Sequence, residues 1–164
     1  MDSRRKQTFN SVYSGRGCYY GLDVRPEFSE YFQNKDLSGQ TAIDLGCGEG
    51  RYAIYLAKKG CCVLSVDRSP TGIEKLERMA VAENLPITTQ TTDIAEFEFI
   101  PASTDIIAAA TILDHLEGDL RRRTINGIKS ALKPGGIFYA NVFTVSDPGY
   151  KLKKRGGGDQ AFWD

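Results

Sequence analysis

One unit recurs along this chain and limits what it can fold into: a short apolar run, a turn built on Gly or Asp, then an amphipathic stretch. Residues 41–47 (TAIDLGC) read as a buried strand entering a glycine-rich turn, and residues 50–59 (GRYAIYLAKK) as a helix stopped by Gly60. Residues 61–67 (CCVLSVD) read as a second buried strand. Ser69 then caps a helix with Pro70 in its first turn and Ile73, Leu76 and Ala80 on one face. A threonine-rich strand over 87–93 and a small apolar one over 104–112 follow. A helix over 118–132 faces Leu120, Ile125, Ile128 and Leu132 inward, and Lys133-Pro134-Gly135-Gly136 ends it ahead of a fifth strand over 137–143. Strands alternating with helices predict an α/β fold: a doubly wound, mostly parallel sheet with right-handed crossovers. Ahead of it, Gly15, Gly17 and Gly21 break a polar and aromatic segment, and a helix starting near Pro26 carries Phe28, Tyr31 and Phe32.

In open sheets of this kind the ligand lies beyond the carboxyl ends of the strands. The residues just after each strand are therefore the ones to inspect. The first strand runs into Asp44-Leu45-Gly46-Cys47-Gly48-Glu49-Gly50. Glycines at alternate positions allow a tight turn and close approach of a ligand to the backbone. The spacing is not the G-x-G-x-x-G of dinucleotide sites, and an acid precedes it. A pyrophosphate favours amides and is repelled by a carboxylate, whereas a cationic ligand finds a partner in Asp44. Asp67 ends the second strand, where a carboxylate can accept from two ribose hydroxyls. Asp93 and Ile94 end the third, placed to meet an adenine amino group and a ring nitrogen. Each acid taken alone is also an ordinary helix cap or turn former.

The rest of the composition excludes more than it selects. Lys and Arg total 21, as do Asp and Glu, so the formal net charge is zero and no broad positive field suits nucleic acid. The basic run Lys151, Lys153, Lys154 and Arg155 reads as a solvated loop. Cys18, Cys47, Cys61 and Cys62 form no Cys-x-x-Cys pair, and there is one histidine, so no metal site is expected. Adjacent Cys61 and Cys62 point to opposite faces of a strand, as small residues in a reducing compartment. No signal peptide opens the chain and no apolar run reaches the ~18 residues of a membrane span, so the expectation is a cytoplasmic protein without a membrane partner.

The ordered segments AIDLGCGEGRYAIYLAKKG, VLSVDRSP, TTDIAEF and ALKPGGIFYANVF resemble the motifs of class I S-adenosylmethionine-dependent methyltransferases, whose fold is Rossmann-like. Tyr20-Gly21-Leu22, the GCGEGR turn and IEKLERMAVAENL are most similar to the tellurite-resistance methyltransferase branch. The resemblance implies a single domain over 1–164: an amino-terminal lid and helix over 1–40, a core sheet over 41–145 and a tail over 146–164. It implies cofactor contacts from Asp44, Gly46, Cys47, Gly48 and Asp67. It extends these to Tyr20, Arg68, Asp93 and Ile94, and it places Thr111 near the methionine portion. S-adenosylmethionine carries a sulfonium and an ammonium but no phosphate, in keeping with the acid before the turn. The implied acceptor is a small-molecule nucleophile such as a thiol or a chalcogen oxyanion, tellurite or selenite.

His115 is the candidate general base, because an imidazole titrates near neutrality; a packing role is its plain alternative. Tyr19 and Tyr20 either close over the cofactor or pack the lid. Cys47 reads as packed under the sheet end rather than as a nucleophile. Two rival functions stand beside methyl transfer: a non-catalytic cofactor-binding domain and an NAD-dependent oxidoreductase, the latter opposed by the glycine spacing. Members of the family usually continue past the fifth strand into a helix and a strand pair. Residues 146–164 have no strand pattern, so the fifth strand is expected to be an open edge that a partner or a second copy covers.

Overall fold

The computed structural model describes residues 9–144 and 146. Residues 9–13 are helical (α1), followed by α2 (Pro26–Phe32). Then β1 (Thr41–Leu45), α3 (Arg51–Lys58), β2 (Cys62–Asp67), α4 (Pro70–Ala82) and β3 (Ile87–Thr91) alternate. β4 (Thr104–Ala110), a short 3-10 turn (Ile112–His115), α5 (Gly118–Ala131) and β5 (Leu132–Asn141) complete the described chain. The five strands form one sheet in the order β3-β2-β1-β4-β5, every neighbouring pair parallel. The strand order reverses between β1 and β4, so the crevice expected of a doubly wound sheet opens there. This is the α/β architecture that the alternating pattern predicts.

Alternation along the strands sorts the core onto two faces. Ala42, Val63, Ile106 and Ala108 pack with Phe28, Leu56 and Leu76 under α2, α3 and α4. Ile43, Leu45, Ile107 and Ala109 pack with Leu113, Leu116 and Ile128 under α5 and the 3-10 turn. Leu45, Leu56 and Leu76 have no accessible surface; burying each stabilises the fold by about 2 kcal/mol. Cys61 is sealed in the core while Cys62 is exposed, the opposite-face placement expected.

The elements end where the backbone must change hand. β1 stops two residues earlier than expected, because Gly46 already has φ +69°. β4 stops before Thr111, whose φ is +60°. The larger difference lies at Lys133-Pro134-Gly135-Gly136. This segment does not separate α5 from the fifth strand; it lies inside β5. Thr104 pairs with Leu132 and Ile106 with Ile137, so the extra residues of β5 bulge around Gly135 at φ +82°. Among the described residues β5 pairs only with β4 and forms the sheet edge. The expectations for the basic run and for the tail over 146–164 lie outside the described residues, apart from Ser146.

Candidate functional site

A cleft of about 370 Å³ opens over the carboxyl ends of β1, β2 and β4, roofed by the amino-terminal segment. Its floor is the turn after β1. The Gly46 N–H and Cys47 N–H both donate to the Val66 carbonyl, at 2.7 and 3.0 Å, tying the turn to β2. Gly46 and Gly48 take positive φ, and a Cβ on Gly48 would stand 2.7 Å from the Tyr13 hydroxyl. Both positions therefore need glycine.

Three acids stand on the cleft wall, each at or near a strand end. Asp44 is buried at 1% exposure, and its Oδ2 accepts from the Ala53 N–H in α3 at 3.0 Å. Burial pushes its carboxyl up to about 7, against the opposing pull of that hydrogen bond. Asp67 accepts from the Gly48 N–H at 2.8 Å on one oxygen and from the Ser69 N–H at 2.7 Å on the other. Burial raises its pKa as well, with these backbone bonds opposing. Asp93 turns the chain after β3, accepting from the Ala95 N–H at 3.0 Å. An ionised carboxylate has about four lone-pair sites, so Asp67 and Asp93 keep acceptor capacity for a ligand beside their structural bonds.

The roof comes from elements distant in sequence. Glu49, at 7% exposure, pairs with Lys75 at 2.6 Å and accepts from the Tyr19 N–H at 2.6 Å. Lys75 donates in turn to the carbonyls of Gly15 and Gly17 at 2.8 and 2.6 Å. This ion pair latches the segment before α2 onto the glycine turn. Arg51 donates to the Tyr20 carbonyl at 3.0 Å and lies 5.9 Å from the Tyr20 ring centroid. On the other flank, Phe9 stacks edge-on against His115, centroids 5.6 Å apart, with Arg68 5.6 Å over its ring.

Every residue expected at the cofactor site lines this one cleft: Tyr20, Asp44, Gly46, Cys47, Gly48, Asp67, Arg68, Asp93, Ile94 and Thr111. His115 lines it too. Tyr19 is not in the lining; its ring is exposed and packs on Tyr20. The Cys47 thiol is buried and pushed well up by that burial, which suits packing rather than nucleophilic attack. Thr111 holds a left-handed conformation unusual for a β-branched residue, pinned by its N–H bond to the Asn141 carbonyl at 2.9 Å. Phe9, Tyr13, Arg25, Glu49, Asn141 and Phe143 are lining residues that sequence reasoning missed. Phe9 and Tyr13 reach the cleft only through the packing of α1, which no local pattern announces. Among the described residues no cluster of potential metal ligands occurs, and no helix is long and apolar enough to cross a membrane.

The family described as "Methyltransferase domain" matches residues 42–136. The chain belongs to that family, the class I S-adenosylmethionine-dependent methyltransferases. It is similar to the ribosomal protein L11 methyltransferase of Photobacterium profundum, 33% identical over 130 residues, 73% of this chain and 40% of that protein. It is also similar to the ubiquinone biosynthesis O-methyltransferase of Coxiella burnetii, 30% identical over 121 residues, 73% of this chain and 51% of that one. Among solved structures, an S-adenosylmethionine-dependent methyltransferase from Mesorhizobium loti superposes with a TM-score of 0.62 at 25% identity, over 74% of this chain and 56% of that one. The chain spans about half the length, or less, of the curated relatives it matches.

Proposed function

We propose that the protein binds S-adenosylmethionine in this cleft and transfers its methyl group to a small-molecule nucleophile. The observation that carries the reading is the placement of Asp44, Asp67 and Asp93 at the ends of three adjacent strands on one cleft wall. Asp93 and the Ile94 N–H meet adenine, Asp67 accepts from the ribose hydroxyls, and Asp44 faces the ammonium. Gly46 and Gly48 let the ligand lie against the backbone, with Tyr20 and Arg68 covering it. A pyrophosphate ligand fits poorly: the cleft wall carries the carboxyls of buried Asp44 and half-buried Asp67 beside the glycine turn, which disfavours an NAD-dependent oxidoreductase. When bound, the cofactor supplies a methyl group already activated by its sulfonium. The protein's part is to align the acceptor and exclude water, and good alignment contributes several kcal/mol, up to about 10.

The resemblance to the tellurite-resistance branch points to a thiol or a chalcogen oxyanion as the acceptor. His115, on the flank of the cleft, is the group that takes a proton where the acceptor must lose one. Four free thiols, two of them buried, suit a reducing compartment, the cytoplasm. The test is release of S-adenosylhomocysteine from S-adenosylmethionine, with a thiol, tellurite, selenite, a phenol and an amine supplied in turn. Acceptor-dependent release with at least one of them is expected. Tight cofactor binding with no release from any would favour the non-catalytic reading instead.

A further inference from the structure

The far end of the cleft, over β4 and β5, carries a polar group that the described protein leaves unmatched. Asn141 is the last residue of β5, in register with Ala110 at the end of β4. Its backbone carbonyl holds the Thr111 N–H at 2.9 Å, so the residue is anchored from behind. It lines the cleft, yet its side-chain oxygen is buried and meets no donor among the described residues. Buried acceptors are ordinarily paired, because leaving one unpaired costs stability. The terminal amide torsion of Asn is soft, so rotation about χ2 alone, with χ1 kept, is enough to turn this oxygen toward the cleft that the residue lines.

The location says which molecule would supply the missing donor. Adjacent strands are spaced about 4.8 Å apart, and β5 lies two strands from β1, on the side away from β2 and β3. A cofactor spread over the ends of β1, β2 and β3, with its methionine portion reaching Thr111 after β4, leaves the end of β5 for a second molecule. The wall there is apolar and braced. Ile112 and Phe143 line it, and the Phe143 N–H donates to Asp114 Oδ2 at 3.0 Å, tying the end of β5 to the 3-10 turn.

We propose that the Asn141 side-chain oxygen is the recognition point for the methyl acceptor, and that the acceptor arrives as a neutral hydrogen-bond donor, an alcohol, phenol, amine or thiol with an apolar body. This rests on the methyltransferase reading and narrows it. The unmatched atom is the oxygen, so a protonated nucleophile satisfies it directly, whereas a chalcogen oxyanion would have to engage the amide NH2 and leave the oxygen unmatched.

The test uses the whole chain saturated with S-adenosylhomocysteine, and titrates benzyl alcohol, benzyl mercaptan and benzyl methyl ether by ligand-observed NMR. Benzyl alcohol is expected to bind about five- to tenfold more tightly than the ether, which has no donor. Asn141→Leu should abolish that preference, leave S-adenosylhomocysteine affinity unchanged and melt no lower than the parent; Asn141→Ala serves if the leucine variant does not fold. Equal binding of alcohol and ether overturns the proposal, as does a preference that survives in the variant, or no binding by any of the three. A loss of S-adenosylhomocysteine affinity in the variant would assign Asn141 to the cofactor and overturn it equally. Failure of the parent chain to bind S-adenosylhomocysteine at all would instead remove the methyltransferase reading, and is seen before any probe is added.

Discussion

The Gly48 N–H donates to Asp67 Oδ2 at 2.8 Å, so the carboxylate that ends β2 fastens the glycine turn that ends β1. The same carboxylate accepts from the Ser69 N–H at the start of α4. One side chain thus fixes two backbone segments that flank the cleft, and under the proposed function it also faces the cofactor.

Replacing Asp67 should therefore do two things at once. Charge-assisted hydrogen bonds contribute roughly 1.5–3 kcal/mol each, so Asp67→Ala should weaken S-adenosylhomocysteine binding by at least about tenfold. Loss of the two backbone bonds should also lower the melting temperature by a few degrees (about 2–4 °C per kcal/mol for a chain of this size). Calorimetric titration and a thermal melt read the two effects separately. A variant with unchanged affinity would remove the ribose role while leaving the structural one.

Asp44 predicts a pH dependence. Its carboxyl is raised to about 7 in the folded chain by burial, against about 3.9 when unfolded. Between these values the folded state holds a proton that the unfolded state has released. Stability from this group is therefore full below about pH 4 and is lost as the pH rises towards 7. Asp44→Asn should flatten that part of the stability curve. If Asp44 faces the ammonium, binding favours its ionised form, so binding near pH 6.5 should release a proton. Titrations in buffers of different ionisation enthalpy count that proton; an equal heat in all buffers contradicts the assignment.

The latch between Glu49 and Lys75 should be costly to break on one side only. With side-chain exposures of 6% and 14% the pair is largely withdrawn from water. Lys75→Met leaves the Glu49 carboxylate without its cation, a loss of about 3 kcal/mol, or roughly 6–12 °C in melting temperature. The double variant Glu49→Gln with Lys75→Met should recover most of this. Hydrogen exchange over 15–20 should accelerate in the single variant. Additive melting shifts, with no recovery, would show that the pair does not hold the roof.

Much of this site was legible in the sequence, and what was not has a physical cause. The turn 46–50 and the acids Asp44, Asp67 and Asp93 are local signals: a strand end, a glycine, an acid, each within a few residues of the next. The Lys75 bonds to Gly15 and Gly17 bridge some sixty residues, and no periodicity encodes them. Phe9 and Tyr13 enter the cleft for the same reason, by tertiary packing of α1. At Gly135 the sequence pattern predicts a helix terminator where the structure has a bulge, because Pro-Gly-Gly marks turns and bulges alike; only the register with β4 distinguishes them.

The β5 edge makes a prediction about assembly. Phe138 in β5, the strand that ends the described sheet, and Val142 just beyond it are 39% and 53% exposed. Open apolar edges recruit a further strand or a second copy. Light scattering should show concentration-dependent association, with fast exchange at β5 amides that point away from β4 when the chain is dilute. A monodisperse monomer protected on both sides of β5 would contradict this.

The most direct test of the central claim is calorimetric titration of the chain with S-adenosylmethionine, S-adenosylhomocysteine and NAD under one set of conditions. The placement of Asp44, Asp67 and Asp93 around a cleft without a pyrophosphate cradle predicts saturable one-to-one binding of the first two and none of the third. Binding of NAD without binding of S-adenosylhomocysteine would contradict it.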